Sequence, residues 1–311
     1  MKKTILITTA TFDAGGSGLL EQLRAVSERI ITNPFGKKLT EAQITALITE
    51  HKPVGIIAGV EPITADVLNA ADGLLVISRC GAGTDSVDLS AAQRRGIVVV
   101  AAPDAVTIPV AELTVGLILG ALRQIHRADA SIRNSGWERP MGMLLCGKTV
   151  GIVGLGRIGT YLSRILSAFG CRLVGHDPAL KSHEVCELTD LEELLARSDI
   201  VTLHLPYSEG NRHLINQARI RWMKNGALLV NAARGGLVDE EALYDILVSG
   251  RLSGAALDCF EEEPYVGRLA TLPNVLLTTH IGSYAREARA MMERQAVENL
   301  LAELTKKGVL S

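Results

Sequence analysis

Four polar side chains in this 311-residue chain stand at the ends of apolar runs, where chemistry is done in many enzymes: His204, Arg234, Glu263 and His280. His204 closes a run before Pro206. Arg234 sits in Asn231-Ala232-Ala233-Arg234-Gly235-Gly236, Glu263 ends an acidic triplet before Pro264, and His280 follows another apolar run. An alcohol that gives up a hydride needs a base for its hydroxyl proton, and imidazole titrates near neutral pH. A carboxylate beside it orients the ring and favours its protonated form. An arginine can clamp a substrate carboxylate with two hydrogen bonds and polarise the adjacent carbonyl. The residue types therefore fit hydride exchange between an alcohol and a carbonyl, with either His204 or His280 as the base.

A place for the hydride carrier lies upstream, in Gly154-Leu155-Gly156-Arg157-Ile158-Gly159. This segment follows the apolar run 149–153 and opens an amphipathic stretch, 158–169, with Leu162, Ile165, Leu166 and Phe169 at helical spacing. Gly170 stops the helix, a second apolar run covers 171–175, and Asp177 stands eighteen residues after Gly159. Glycine permits a tight turn and a close backbone approach to pyrophosphate, and the free amides of the helix start favour its charge. An acid at this distance binds a ribose 2′-hydroxyl and repels a 2′-phosphate. Pro178-Ala179-Leu180 brings no arginine to receive that phosphate, so NAD is preferred over NADP.

Such groups converge when parallel strands present them at one edge, because ligands of open parallel sheets bind beyond the strands' carboxyl ends. The first third alternates strands at 5–8, 54–60, 74–78 and 97–101 with helices, including a capping box at Thr40 and Gln43, a short helix over 64–71 and another over 88–95 ended by Gly96. Beyond Asp177 the alternation resumes with strands at 200–205, 227–231, 254–257 and 275–279. The pattern predicts an α/β protein with two parallel sheets. Pro109 begins an apolar helix through Val110, Leu113, Leu117, Leu119 and Leu122, and a final helix spans about 284–304. The stretch 134–147 is irregular and reads as an exposed arm.

Length and a 47% hydrophobic content support two domains with two cores. A net charge of −2 with interspersed signs indicates neither a nucleic-acid surface nor a polybasic membrane anchor. The five cysteines show no CxxC and no metal-ligand spacing, which predicts reduced thiols in a cytoplasmic protein and no metal. No run of about eighteen uninterrupted apolar residues occurs, which excludes a spanning helix on length. Met1-Lys2-Lys3 and the apolar residues after it faintly resemble a leader peptide, but the run is short and threonine-rich and reads as a first β-strand.

With these motifs in place, the chain resembles the D-2-hydroxyacid dehydrogenase family, nearest its short phosphoglycerate dehydrogenase-like branch. The resemblance covers nearly the whole chain. It implies a Rossmann NAD-binding domain, 102–283, inserted into a flavodoxin-like discontinuous substrate domain, 1–101 and 284–311, which accords with a glycine loop at mid-chain. It implies an NAD-dependent oxidoreductase acting on a small D-2-hydroxy acid or its 2-keto acid, of the 3-phosphoglycerate/phosphohydroxypyruvate or glyoxylate/hydroxypyruvate type. Arg234, Glu263 and His280 match the catalytic arginine, glutamate and histidine, and His204 matches a residue lining the nicotinamide side. Cofactor contacts are implied for Gly154, Gly156, Arg157, Ile158, Gly159, Asp177, Thr107, Ala232 and Asp258, the last at the nicotinamide amide. Arg79-Cys80-Gly81-Ala82-Gly83-Thr84-Asp85 resembles the loop whose amides hold the substrate carboxylate, which adds Arg79, Ala82 and Gly83 to Arg234 and His280 as substrate residues. A homodimer built through 109–122 and the Trp137 arm is also implied. Ser86, Val106, Pro109 and Thr279 depart from the family's common residues around the substrate loop and the histidine, and they leave substrate identity open. The fold is similar, too, to that of NAD(H)-sensing corepressors, which makes a regulatory protein the alternative.

Overall fold

The computed structural model describes residues 3–310; Met1, Lys2 and Ser311 lie outside them. The chain divides into two compact units, one running to Val106 and resuming at Ser283, the other spanning Thr107–Gly282. In the first, strands β1 (Thr4–Ile7), β2 (Arg29–Thr32), β3 (Gly55–Ala58), β4 (Val76–Arg79) and β5 (Val98–Val100) form one parallel sheet in the order β2-β1-β3-β4-β5. Every residue of β1, β3 and β4 is buried, as expected of parallel strands with helices on both faces. Side-chain oxygens start the connecting helices: Thr40 forms the expected capping box with Gln43, Thr64 accepts from Val67 N, and Asp88 accepts from Ala91 N. The long helix Arg286–Lys306 returns to this sheet and buries Met292, Ala296, Val297, Leu300 and Leu304 in register with its turns. Edge strand β2 carried no readable signal, because its RIIT sequence is exposed at both ends.

The second unit holds β6 (Thr149–Val153), β7 (Arg172–His176), β8 (Glu187–Leu188), β9 (Ile200–Leu203), β10 (Leu228–Asn231), β11 (Gly254–Leu257) and β12 (Val275–Leu277). They form a parallel seven-stranded sheet in the order β12-β11-β10-β9-β6-β7-β8. Its core joins Val153, Val201, Leu203, Leu229, Ala255 and Leu257 of the strands to Leu194, Ile220, Leu243 and Leu247 of the helices.

Exclusion of a spanning helix on length needs correction. The continuous helical stretch Asp104–Leu122 is 19 residues long with a mean hydropathy of 1.9, long and apolar enough to cross a membrane by those two measures. Within the second unit that apolarity has another use. Helix Thr107–Leu122 packs on helix Arg157–Ala168 and on β10, β11 and β12, burying Val110, Ala111, Leu117, Ile118 and Leu122.

Candidate active site

Strand order in the second unit reverses at β6, which lies between β7 and β9, the point at whose carboxyl ends open parallel sheets take their ligands. Gly154 follows β6 and His204 follows β9, and their backbones touch. A Cβ at Gly154, where φ is +92°, would stand 2.5 Å from the His204 carbonyl oxygen. A Cβ at Gly159 would stand 2.0 Å from the Gly154 oxygen, so the third glycine is what lets the helix opened by Arg157 and Ile158 close against the turn. Nothing lies within 4 Å of the corresponding point at Gly156, which leaves the approach to that backbone open. Asp177, one residue past β7, accepts from Leu155 N at 2.9 Å and from Ala179 N at 3.0 Å, so the acid is tied to the glycine turn. Ala232, expected at the cofactor, is buried just past β10.

Four buried side-chain polar atoms in this unit have no hydrogen-bond partner among the described residues: Thr107 Oγ1, His126 Nδ1, His204 Nδ1 and Arg251 Nε. Leaving such a group unsatisfied costs about 1–3 kcal/mol, and Thr107 and His204 are the two of the four expected from sequence to be cofactor contacts. The open Gly156 backbone, the tied acid and these two orphans fit a dinucleotide. His204 itself is 9% exposed, with Nε2 on Thr202 Oγ1 at 2.8 Å. Burial pulls its pKa down to about 3, so the ring is neutral at physiological pH and unsuited to exchanging a proton there.

The other histidine is placed differently. His280 follows β12 with φ at +53°, a left-handed conformation costly for a residue with a Cβ and concentrated at functional sites. Its Nδ1 lies 2.9 and 3.0 Å from the two carboxylate oxygens of Glu263. Because a carboxylate only accepts, Nδ1 carries the hydrogen, which leaves the lone pair of the neutral ring on Nε2. Both side chains reach solvent, at 46% and 37% exposure, where a substrate can meet them.

Asp258 holds this arrangement. Its carboxylate is fully buried and accepts from Thr278 Oγ1 at 2.6 Å and from Ile281 N and Gly282 N at 2.8 Å each, bracketing His280. The resemblance assigns Asp258 to the nicotinamide amide; the bonds seen here make it the brace of the histidine loop. Arg234 is brought to the same edge by two devices. Buried Asn231 accepts from Ala233 N and donates to Arg234 O, shaping the turn after β10. Gly235 passes so close to the β11 loop that a Cβ would fall 1.9 Å from Phe260 C. Cys259, in the loop after β11, brings its sulfur within 4.8 Å of a donor atom of Glu263 and of His280.

Arg234, Glu263, His280 and all the nominated cofactor residues thus belong to one unit. Arg79, Ala82 and Gly83 belong to the other, where Arg79 ends β4, is 5% exposed and donates through its guanidinium to Ala58 O of β3 and to Gly83 O of the loop that follows β4. In these bonds Arg79 shapes its own loop. The bracing by Asp258, the turn set by Asn231 and the nearness of Cys259 escaped the sequence reading, since each depends on where β10, β11 and β12 lie side by side.

A family model described as "D-isomer specific 2-hydroxyacid dehydrogenase, NAD binding domain" matches residues 115–282, more than half of the chain. The chain belongs to this dehydrogenase family. It is 42% identical over 86% of its length to D-3-phosphoglycerate dehydrogenase of Methanocaldococcus jannaschii, of which it spans only 52%. It is 37% identical to hydroxypyruvate reductase of Thermotoga maritima, covering 91% of this chain and 92% of that protein. The solved TT0316 protein from Thermus thermophilus is similar throughout, with a TM-score of 0.88, 38% identity and 97% of each chain covered. The family model's match lies within the second unit, so the glycine turn after β6 and the edge bearing Arg234, Glu263 and His280 stand on the same NAD-binding unit.

Proposed function

We propose that this dehydrogenase interconverts a small D-2-hydroxy acid and its 2-keto acid, of the phosphohydroxypyruvate or glyoxylate/hydroxypyruvate type. The observation that carries the reading is the His280–Glu263 pair at 2.9 Å on the edge that Arg234 shares. Bound NAD supplies or accepts the hydride. Arg234 anchors the substrate carboxylate and polarises the C2 oxygen. His280 exchanges the proton of that oxygen through Nε2, and Glu263 fixes the ring's orientation and balances the charge it gains. We assign the loop with Arg79, Ala82 and Gly83 to the substrate carboxylate. The relatives' names, all dehydrogenases or reductases, favour this over a regulatory protein.

The test is NADH oxidation with phosphohydroxypyruvate, hydroxypyruvate, glyoxylate and pyruvate. His280→Ala should lower turnover on the accepted substrate by about 10²–10⁴-fold with NADH affinity nearly unchanged. Turnover that survives this substitution rejects the assignment. We further propose a homodimer. Support comes from the apolar residues displayed by 125–144, with Ile132, Trp137, Met141 and Leu144 between 60% and 90% exposed. Sedimentation at micromolar concentration checks it, and a monomer contradicts it.

A further inference from the structure

We propose that Cys259, Glu263 and His280 form a binding site for one Zn²⁺ ion, which silences the proton-exchanging pair it occupies. One donor atom from each of the three lies within 4.8 Å of the others. Thiolate, imidazole and carboxylate are the donors zinc prefers, and three protein ligands leave a fourth position for water or for an oxygen of the substrate. In a tetrahedral site with Zn–S of about 2.3 Å and Zn–N and Zn–O of about 2.0–2.1 Å, ligand atoms stand roughly 3.3–3.6 Å apart. Glu263 and His280 are already in contact at 2.9 Å, so the main movement is an approach of the Cys259 sulfur by about 1 Å.

The fold makes that approach direct. Cys259 and Glu263 share the loop that leaves β11, and His280 follows the adjacent β12, with Asp258 bonding the two segments together. The sulfur's present partner is the Ala233 carbonyl at 3.5 Å, a weak bond that a metal displaces. On binding, the Cys259 S–H bond breaks, a Zn–S bond forms and one proton leaves to solvent; nothing is oxidised or reduced. An ion on either ring nitrogen of His280 ends proton exchange. On Nε2 it takes the lone pair, and on Nδ1 it leaves the hydrogen on Nε2. The donor set also selects the metal, since magnesium and calcium require oxygen ligands.

The site rests on geometry alone, whereas its inhibitory effect rests on the function proposed above. Calorimetry measures zinc binding to a C146S protein, in which an exposed thiol elsewhere has been removed. One Zn²⁺ should bind per chain, and Mg²⁺ at the same concentration should not. Adding C259A should weaken zinc binding at least 100-fold, with C259S as a second variant should alanine unfold the loop. In zinc-free buffer C259A should keep turnover within threefold, and zinc that lowers the reference turnover tenfold should leave C259A unaffected. Equal zinc affinity after loss of the cysteine, or full turnover of the reference protein at saturating zinc, overturns the proposal. Zinc bound in this way by a protein that reduces no 2-keto acid would support the site and reject the function.

Discussion

His204 makes a prediction about stability that is separate from catalysis. Its ring is buried and its folded pKa lies near 3, against about 6.5 in an unfolded chain. As pH falls below 6.5 the unfolded chain takes up a proton at this position that the folded chain refuses. Stability is therefore fully present above pH 6.5, declines through the interval, and has lost this whole contribution below pH 3. Linkage puts the loss at about 2 kcal/mol by pH 5, a large part of the margin of a typical domain.

Other carboxylates and histidines titrate over the same range, so the quantity to measure is a difference between two proteins. His204→Gln does not titrate, and its amide nitrogen can reach Thr202 Oγ1 as Nε2 does now. Urea unfolding of the cofactor-free wild type and variant, followed at pH 7.5 and pH 5, should show the wild type losing about 2 kcal/mol more than the variant. Parallel losses would mean that His204 binds its proton equally well in both states. The assignment of a neutral, desolvated ring beside the glycine turn would then be wrong.

The second and third glycines of the turn should fail in different ways. Gly156→Ala meets no neighbouring atom and should melt like the wild type while losing NADH affinity by tenfold or more in a fluorescence titration; unchanged affinity would show that no ligand backs onto this position. Gly159→Ala drives a methyl group into the Gly154 carbonyl and should lower the melting temperature of the cofactor-free protein as well, by calorimetry. Asp258→Ala removes one acceptor from three donors in a fully buried spot and should cost about 3 kcal/mol in urea unfolding, with kcat falling as His280 loses its brace; a stable, fully active variant refutes the bracing role.

The parts of this fold that were legible in sequence are those fixed by short-range rules. The turn at 154–159 announced itself through residue types whose reasons are local: Gly159 has no room for a side chain, and Asp177 lies one residue past a strand whose apolar run is visible. Thr40, Thr64 and Asp88 mark helix starts because their oxygens bond amides three residues on. Strand β2 and the two-residue β8 were invisible for the complementary reason. Edge strands bury little, so their sequences need not be apolar. The same locality misled the reading of helix Thr107–Leu122. Its composition says only that it avoids water, and the helix and strands that cover it, Arg157–Ala168 and β10 to β12, come from distant parts of the sequence.

The site separates along the same line. That a histidine at a strand end is a candidate base was visible; how the two candidates differ depends on surroundings that no window of sequence contains. His204 closes a central strand, so its ring lies buried against Thr202 and stays neutral. His280 leaves the edge strand β12 in a left-handed turn that Asp258 pins from β11, so its ring stands in solvent against Glu263. Strand order thus gives the two rings different surroundings: the inner position removes water and the ability to charge from His204, and the edge position leaves His280 in solvent beside a carboxylate. The Cys259 thiol meets the same pair because β11 and β12 are neighbours in the sheet.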